Sequence, residues 1–235
     1  MEGWIEVKEC PYCGGSVKPY KSVISAPAML VTFCNGSLPM LASITYVKCS
    51  CGLVIQSPRM TDKRIEHYYA SGLYRDTLGI SVEVMDADEQ RRAVDVAKWL
   101  DLYPKKHLDI GASRGYLLNE IGAEVKHGYD NNPSYGQGIQ VYSNKAHLQT
   151  YDLVTSVHCL EHVIDPMREL RWYKSVTKGV LFIEVPGENT HGGGALRFAH
   201  LYYYPPELLI DMVESIGLKV IRTETEPNTR VLCMA

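Results

Sequence analysis

Beyond residue 105 the chain alternates short apolar runs with stretches whose apolar positions recur at helical spacing. The runs predict strands at 107–110, 125–129, 139–142, 152–158 and 179–185, and the periodic stretches predict helices at 116–121, 165–176 and 205–216. Two last runs, 218–225 and 230–234, flank a Glu-Pro-Asn-Thr turn and predict an antiparallel hairpin. Alternating units of this kind argue for an α/β fold with a mostly parallel sheet covered on both faces.

Upstream the pattern changes. Thr61 offers an N-cap for a helix reaching about Ala70, closed by Ser71-Gly72. Val94, Ala97 and Leu100 recur on one face of a second helix, 84–102, which Pro104 stops. The first 58 residues have no helical period, and runs at 28–34 and 41–47 around Asn35-Gly36 predict paired strands. No residue from Ser22 to Val47 is charged, which is long enough to cross a bilayer. Pro27, Asn35, Gly36 and Pro39 break that run, so the strand pair is the better reading. The chain divides into a β-rich module at 1–58, a helical linker or lid at 59–104, and an α/β domain at 105–235.

Composition adds two features. The 235 residues, 46% hydrophobic and 22% charged, are globular in balance. A net charge of −3 argues against nucleic acid and an anionic membrane surface as partners. The start, MEGWIEVKEC, has no secretory pattern, so a cytoplasmic, disulfide-poor setting is expected. Seven Cys stand at 10, 13, 34, 49, 51, 159 and 233, five of them within the first 51 residues, and such clustering reads as metal ligation. Cys10-Pro-Tyr-Cys13-Gly14 has the form of a zinc knuckle, and Cys49-Ser-Cys51-Gly52 offers the second pair of a closed Zn2+ site. Cys34 is a spare candidate, whereas Cys159 and Cys233 fall on elements expected in the core. Sixteen Tyr against three Phe and three Trp suit clefts and wet surfaces.

The segment His107-Leu-Asp-Ile-Gly111-Ala-Ser-Arg-Gly115 sets strand, glycine turn and helix in succession. Gly111 permits the sharp turn, Gly115 a close approach, and exposed N–H groups there would favour an anion. Asp130, 21 residues after Asp109, stands where an acidic side chain can accept from ribose hydroxyls. The dinucleotide pattern lacks its third glycine. Gly111-Ala-Ser113-Arg-Gly115 also spells a hydrolase elbow, but the matching His191-Gly-Gly-Gly194 follows it where hydrolases place it before.

With Leu108-Asp109-Ile110-Gly111-Ala112-x-x-Gly115, Tyr151 to Pro166 and Gly179 to Pro186 in order, the region 92–235 resembles class I S-adenosylmethionine-dependent methyltransferases. Ser113 replaces the usual second glycine. The resemblance implies a Rossmann-like seven-stranded mostly parallel sheet with a terminal antiparallel hairpin, preceded by a small β-rich zinc ribbon. It implies that Asp109, Gly111, Ala112 and Gly115 cradle the methionine end of S-adenosylmethionine, that Asp130 holds the ribose, and that Asn131 lies beside the adenine. Ser143 and Asn144 would touch the adenine edge, and Ser156, Val157 and His158 would line the sulfonium end. Asp109 also has a purely structural reading, bonding loop N–H groups. The N-terminal module resembles the ribbon of methyltransferases that include sugar C-methyltransferases. Those carry two C-x-x-C pairs and a large C-terminal domain, whereas this chain has C-x-C in its second pair and stops at its last predicted strand.

An alcohol acceptor needs a general base, and the candidates are His200, His162, His158 and His191. Two readings of 187–204 stay open: a lid hinged at Gly192–Gly194 that offers Tyr202, Tyr203 and Tyr204 to the acceptor, or a surface loop with its tyrosines packed at the base. Tyr68, Tyr69, Tyr74 and Arg75 either cover the site or end an amphipathic helix. The expected function is methyl transfer to a polar small molecule, with a sugar or sugar nucleotide foremost. The acceptor would be gripped by the ribbon, the linking helices and the 187–204 loop, or by a second copy of the chain in a homo-oligomer. The alternative is a non-catalytic module of the same fold whose ribbon binds protein or nucleic acid.

Overall fold

The computed structural model describes residues 3–24, 31–33, 36–38, 43–73, 81–136, 138–188 and 196–235. Cys34, Tyr74, Arg75, His191 and Gly192–Gly194 lie outside them.

The α/β part contains β8 (Lys106–Ile110), β9 (Val125–Tyr129), β10 (Val141–Tyr142), β11 (Tyr151–Val157), β12 (Thr177–Pro186), β14 (Lys219–Glu224) and β15 (Asn228–Met234). They form one seven-stranded sheet in the order β10-β9-β8-β11-β12-β15-β14. Strands β8 to β12 run parallel, while β15 is antiparallel to both β12 and β14. Leu108, Leu153, Val154, Leu181, Phe182, Ile183 and Val231 are all at 0% exposure, which is why these strands read as near-continuous apolar runs.

Among the described residues five α-helices accompany the strands: α1 (Asp62–Ala70), α2 (Val82–Leu100), α3 (Tyr116–Glu120), α4 (Pro166–Val176) and α5 (Pro206–Ser215). The Ser81 hydroxyl caps α2, and the Asp165 side chain caps α4 by accepting from the Arg168 N–H. The buried stripe of α2 is Met85, Ala93, Val96 and Leu100. Val94, expected on that stripe, is 48% exposed and faces outward.

The N-terminal region is built from β2 (Val17–Ile24), β5 (Ser43–Cys49) and β6 (Val54–Gln56) in one antiparallel sheet. A short pair, β3 (Val31–Phe33) and β4 (Gly36–Leu38), replaces part of the longer hairpin expected around Asn35-Gly36, and β1 (Trp4–Ile5) pairs with β7 (Arg59–Met60). The fourth strand of the main N-terminal sheet comes from far along the chain: β13 (Tyr202–Tyr203) pairs with β6 through Tyr202↔Ile55 and Tyr203↔Val54. One core cluster runs through both parts, including Cys49, Leu53 and Ile55 with Leu108, Leu160, Tyr202 and Leu209.

Of the two readings of 187–204, the packed tyrosines of the second agree with this arrangement, though Tyr202 and Tyr203 lie in a strand and not in a loop, and the hinge of the first lies outside the described residues. Tyr202 and Tyr204 are 2% and 1% exposed. Their hydroxyls donate to the Ile164 carbonyl at 2.8 Å and the Leu160 carbonyl at 3.0 Å. They anchor the turn after β11 to the N-terminal sheet. No helix among the described residues is long and apolar enough to cross a membrane.

Candidate active site and cysteine cluster

In an open parallel sheet the chain leaves β8 toward one side and returns to β11 on the other, and the carboxyl ends of these strands frame a crevice. Here that crevice is a cleft of about 990 Å³, lined by Asp109 near the end of β8 with Gly111, Ala112 and Ser113 after it, Asp130 and Asn131 after β9, and Val157 at the end of β11 with His158 after it.

The glycine turn is left-handed at three alternate positions: Gly111 (φ +77°), Ser113 (φ +48°) and Gly115 (φ +81°). A Cβ on Gly111 would come within 2.9 Å of Cys159, and one on Gly115 within 2.7 Å of Ile139. Ser113 tolerates its conformation because its N–H donates to Asp130 Oδ2 at 2.9 Å and its hydroxyl to Glu89 at 3.0 Å. The amides of this turn are not left open for an anion. Gly111 and Ala112 donate to the Tyr129 carbonyl, and Gly115 donates to that of Ala112. Both oxygens of Asp130 accept backbone N–H groups, the second from Asn132 at 2.8 Å.

Asp109 is 5% exposed and accepts from the Thr155 hydroxyl at 2.7 Å, rather than from loop amides. Burial first, and then the neighbouring charges of Asp130 and Glu89, push its carboxyl up to about 7 against that hydrogen bond. Three carboxyl groups thus gather at this end of the cleft. These carboxyl groups and the two glycines of the turn, Gly111 and Gly115, fit a ligand that carries positive charge and packs closely on the backbone, as the sulfonium and ammonium of S-adenosylmethionine would.

Not every predicted contact reaches the cleft. Ser156 is wholly buried, with its hydroxyl 3.5 Å from that of Tyr173. Gly115 shapes the turn without lining the cavity, and Asn144 spends its side chain capping the Ala146 N–H. Tyr68 is core at 1% exposure, whereas Tyr69 lines the cleft. Cys233 is buried, as expected, but Cys159 lies against the cleft.

The structure gathers the three histidines around a residue that sequence reading passes over. Glu161 sits in the 3-10 turn Leu160–His162. His158 Nδ1, His162 Nε2 and His200 Nε2 lie 3.9, 3.7 and 4.0 Å from its Oε1. The spacing His158-x-x-Glu161-His162 is the signal that could have found it. His158, left-handed at φ +50°, also places Nε2 3.1 Å from Glu184. Burial pushes Glu161 up to about 8 and pushes His158 and His162 down to about 4. His162 Nδ1 stands 2.8 Å from the Ala199 carbonyl and 2.9 Å from the Tyr69 hydroxyl.

A second cluster lies in the N-terminal sheet. The sulfurs of Cys10, Cys13, Cys49 and Cys51 all lie within 4.8 Å of one another. Cys10 and Cys51 are 3.6 Å apart, and Cys13 and Cys49 3.4 Å. Thiolates at about 2.3 Å from a tetrahedral ion would stand about 3.8 Å apart, so four sulfurs fit one zinc ion. The C-x-C pair closes onto the C-x-x-C pair because Gly52 (φ +101°) turns the chain directly after Cys51.

Residues 85–223 match the family model described as a methyltransferase domain. A search of the curated proteins matched none. Solved structures with a similar fold include 1,6-didemethyltoxoflavin-N1-methyltransferase of Burkholderia thailandensis, at TM-score 0.56 and 15% identity, covering 77% of this chain and 95% of that one. Magnesium protoporphyrin IX methyltransferase of Synechocystis PCC 6803 aligns at TM-score 0.53 and 18% identity, over 74% of this chain and 99% of that one. Both were solved with S-adenosylhomocysteine bound. The sequence match spans more than half of the chain, and the sheet order and the crevice agree with it: the protein belongs to the methyltransferase-domain family and has the class I S-adenosylmethionine-dependent fold.

Proposed function

We propose that this S-adenosylmethionine-dependent methyltransferase acts on a hydroxyl of a polar small molecule. The observation that carries the reading is one cleft with a carboxylate-lined glycine turn at one end and His158, His162 and His200 on its walls. Bound S-adenosylmethionine would supply an electrophilic methyl group on a sulfonium. Asp109, Gly111 and Ala112 would hold its methionine end, Asp130 its ribose and Asn131 its adenine, with Gly115 setting the turn. His158, His162 and His200 would orient the acceptor and take its proton. Alignment and exclusion of water supply most of the rate in such a displacement.

A sugar or sugar nucleotide as acceptor rests on the ribbon resemblance; the solved relatives named above act on a porphyrin and a toxoflavin precursor. Cys10, Cys13, Cys49 and Cys51 are proposed as ligands of a structural Zn2+, which would supply a rigid tetrahedral node.

The test is a titration with S-adenosylhomocysteine followed by thermal melting. Ligand at 100 times its Kd should add about 2.7 kcal/mol of stability. Asp130→Ala should shift the titration to higher ligand concentration. No rise in melting temperature in the wild type would overturn the reading.

A further inference from the structure

Glu161 is 1% exposed, and neither of its carboxylate oxygens has a hydrogen-bond partner among the described residues. A buried carboxylate in that state is costly unless something else satisfies it. The three surrounding imidazole nitrogens stand 3.7 to 4.0 Å from one oxygen, too far for hydrogen bonds and all converging on the same point. Ligands that share an ion at about 2.0–2.2 Å stand roughly 3–3.5 Å apart, so a small closure of these side chains makes a coordination sphere. A Glu161 oxygen and one nitrogen each from His162 and His200 already lie within 4.8 Å of one another. His162 is oriented as metal-binding histidines are: its Nδ1 faces a backbone carbonyl, that of Ala199, and its Nε2 faces the carboxylate. The charged groups that face Glu161 are Arg92 and Arg197, which line the same cleft, and Glu184 behind His158.

We propose that Glu161, His162 and His200 bind a divalent first-row transition-metal ion, with His158 beside it, and that this ion holds the acceptor of the methyl group by a hydroxyl oxygen. The proposal deepens the methyltransferase reading and rests on it for the second clause. Two imidazoles and one carboxylate leave coordination positions open for substrate. A hydroxyl bound at such an ion is acidified and easily deprotonated. His158 Nδ1 takes the proton, the oxygen forms its bond to the methyl carbon, and the carbon–sulfur bond breaks with its electron pair left on sulfur. The acceptor class is therefore a molecule whose reactive hydroxyl has a neighbouring oxygen able to chelate.

The full chain is purified without chelator and its metal content measured. Mn2+ binding is then followed by electron paramagnetic resonance, because Mn2+ favours oxygen and imidazole ligands over the four thiolates. The expected result is one Mn2+ per chain, or a resident second ion at the same site. His200→Ala and the isosteric Glu161→Gln should each weaken binding at least about 100-fold. A melting shift with S-adenosylhomocysteine shows that each variant is folded. Absence of any such ion in the wild type, or its retention by both variants, overturns the proposal, even if S-adenosylhomocysteine binds. Metal lost in both variants without any wild-type response to S-adenosylhomocysteine would support the ion site and refute the methyltransferase reading.

Discussion

Arg230→Met should expose how the sheet carries a charge through its centre. Glu184 lies on β12 at 0% exposure, directly across from Arg230 on β15. The guanidinium Nε is 2.5 Å from Glu184 Oε2, and the other nitrogens reach Glu224 at 3.1 Å and Asp95. Burial alone would push the Glu184 carboxyl up, but His158 and Arg230 together hold it below the usual carboxylate range. Removing Arg230 keeps the volume roughly constant and leaves the buried carboxylate, among the described residues, with His158 and the Asn228 amide at 3.1 and 3.3 Å. Breaking a buried pair on one side costs about 3–5 kcal/mol. The cost should shrink as pH falls, because Glu184 in the variant can take up a proton in the folded state. Urea denaturation of wild type and variant at pH 8 and pH 5.5 reads both the magnitude and its pH dependence. Glu184→Gln/Arg230→Met should recover most of the loss, since no charge is then stranded. A loss below about 1 kcal/mol at pH 8, or one equal at the two pH values, would refute the argument.

Gly111→Ala should weaken S-adenosylhomocysteine binding and cost about 1–3 kcal/mol, from a left-handed backbone and a Cβ 2.9 Å from Cys159; an unchanged titration and melting curve would contradict the close approach. Asp109→Asn should stabilise the cofactor-free protein at pH 8 relative to wild type. The folded-state carboxyl is raised to about 7, so its contribution is present below the unfolded value and lost as pH rises through 7; equal melting temperatures at pH 8 would count against this. Cys49→Ser should abolish bound zinc and lower the melting temperature, and metal analysis beside calorimetry checks both.

The α/β part is legible because strands covered on both faces must be apolar throughout, so β8, β11 and β12 stand out from their sequence. The face of α2 is not, because exposed Val94 looks more core-like than buried Ala93, and only neighbouring elements decide between them. Strand β2 escapes notice because Lys18, Pro19 and Lys21 give it an edge strand's composition, with a register break after Pro19. The glycine turn and Asp130 can be read from spacing alone. For Glu161 spacing shows only the local half, His158 and His162; its third neighbour, His200, lies 39 residues further on. Nor does any local pattern announce that Tyr202 and Tyr203 join a sheet begun more than 150 residues earlier.

That last pairing makes the N-terminal sheet a splint for the chemistry. His200 stands two residues before β13, and the Leu201 N–H donates to the Glu161 carbonyl at 2.8 Å, while the Leu201 carbonyl accepts from the Gln56 N–H at 2.8 Å. The same short segment is therefore stitched to the cysteine-bearing sheet on one side and to the Glu–His turn on the other. Oxidation of the four thiols, or loss of the zinc ion proposed for them, would be felt as slack at His200. A fragment cut away from the first 58 residues would lose the strand partner that holds His200 beside Glu161.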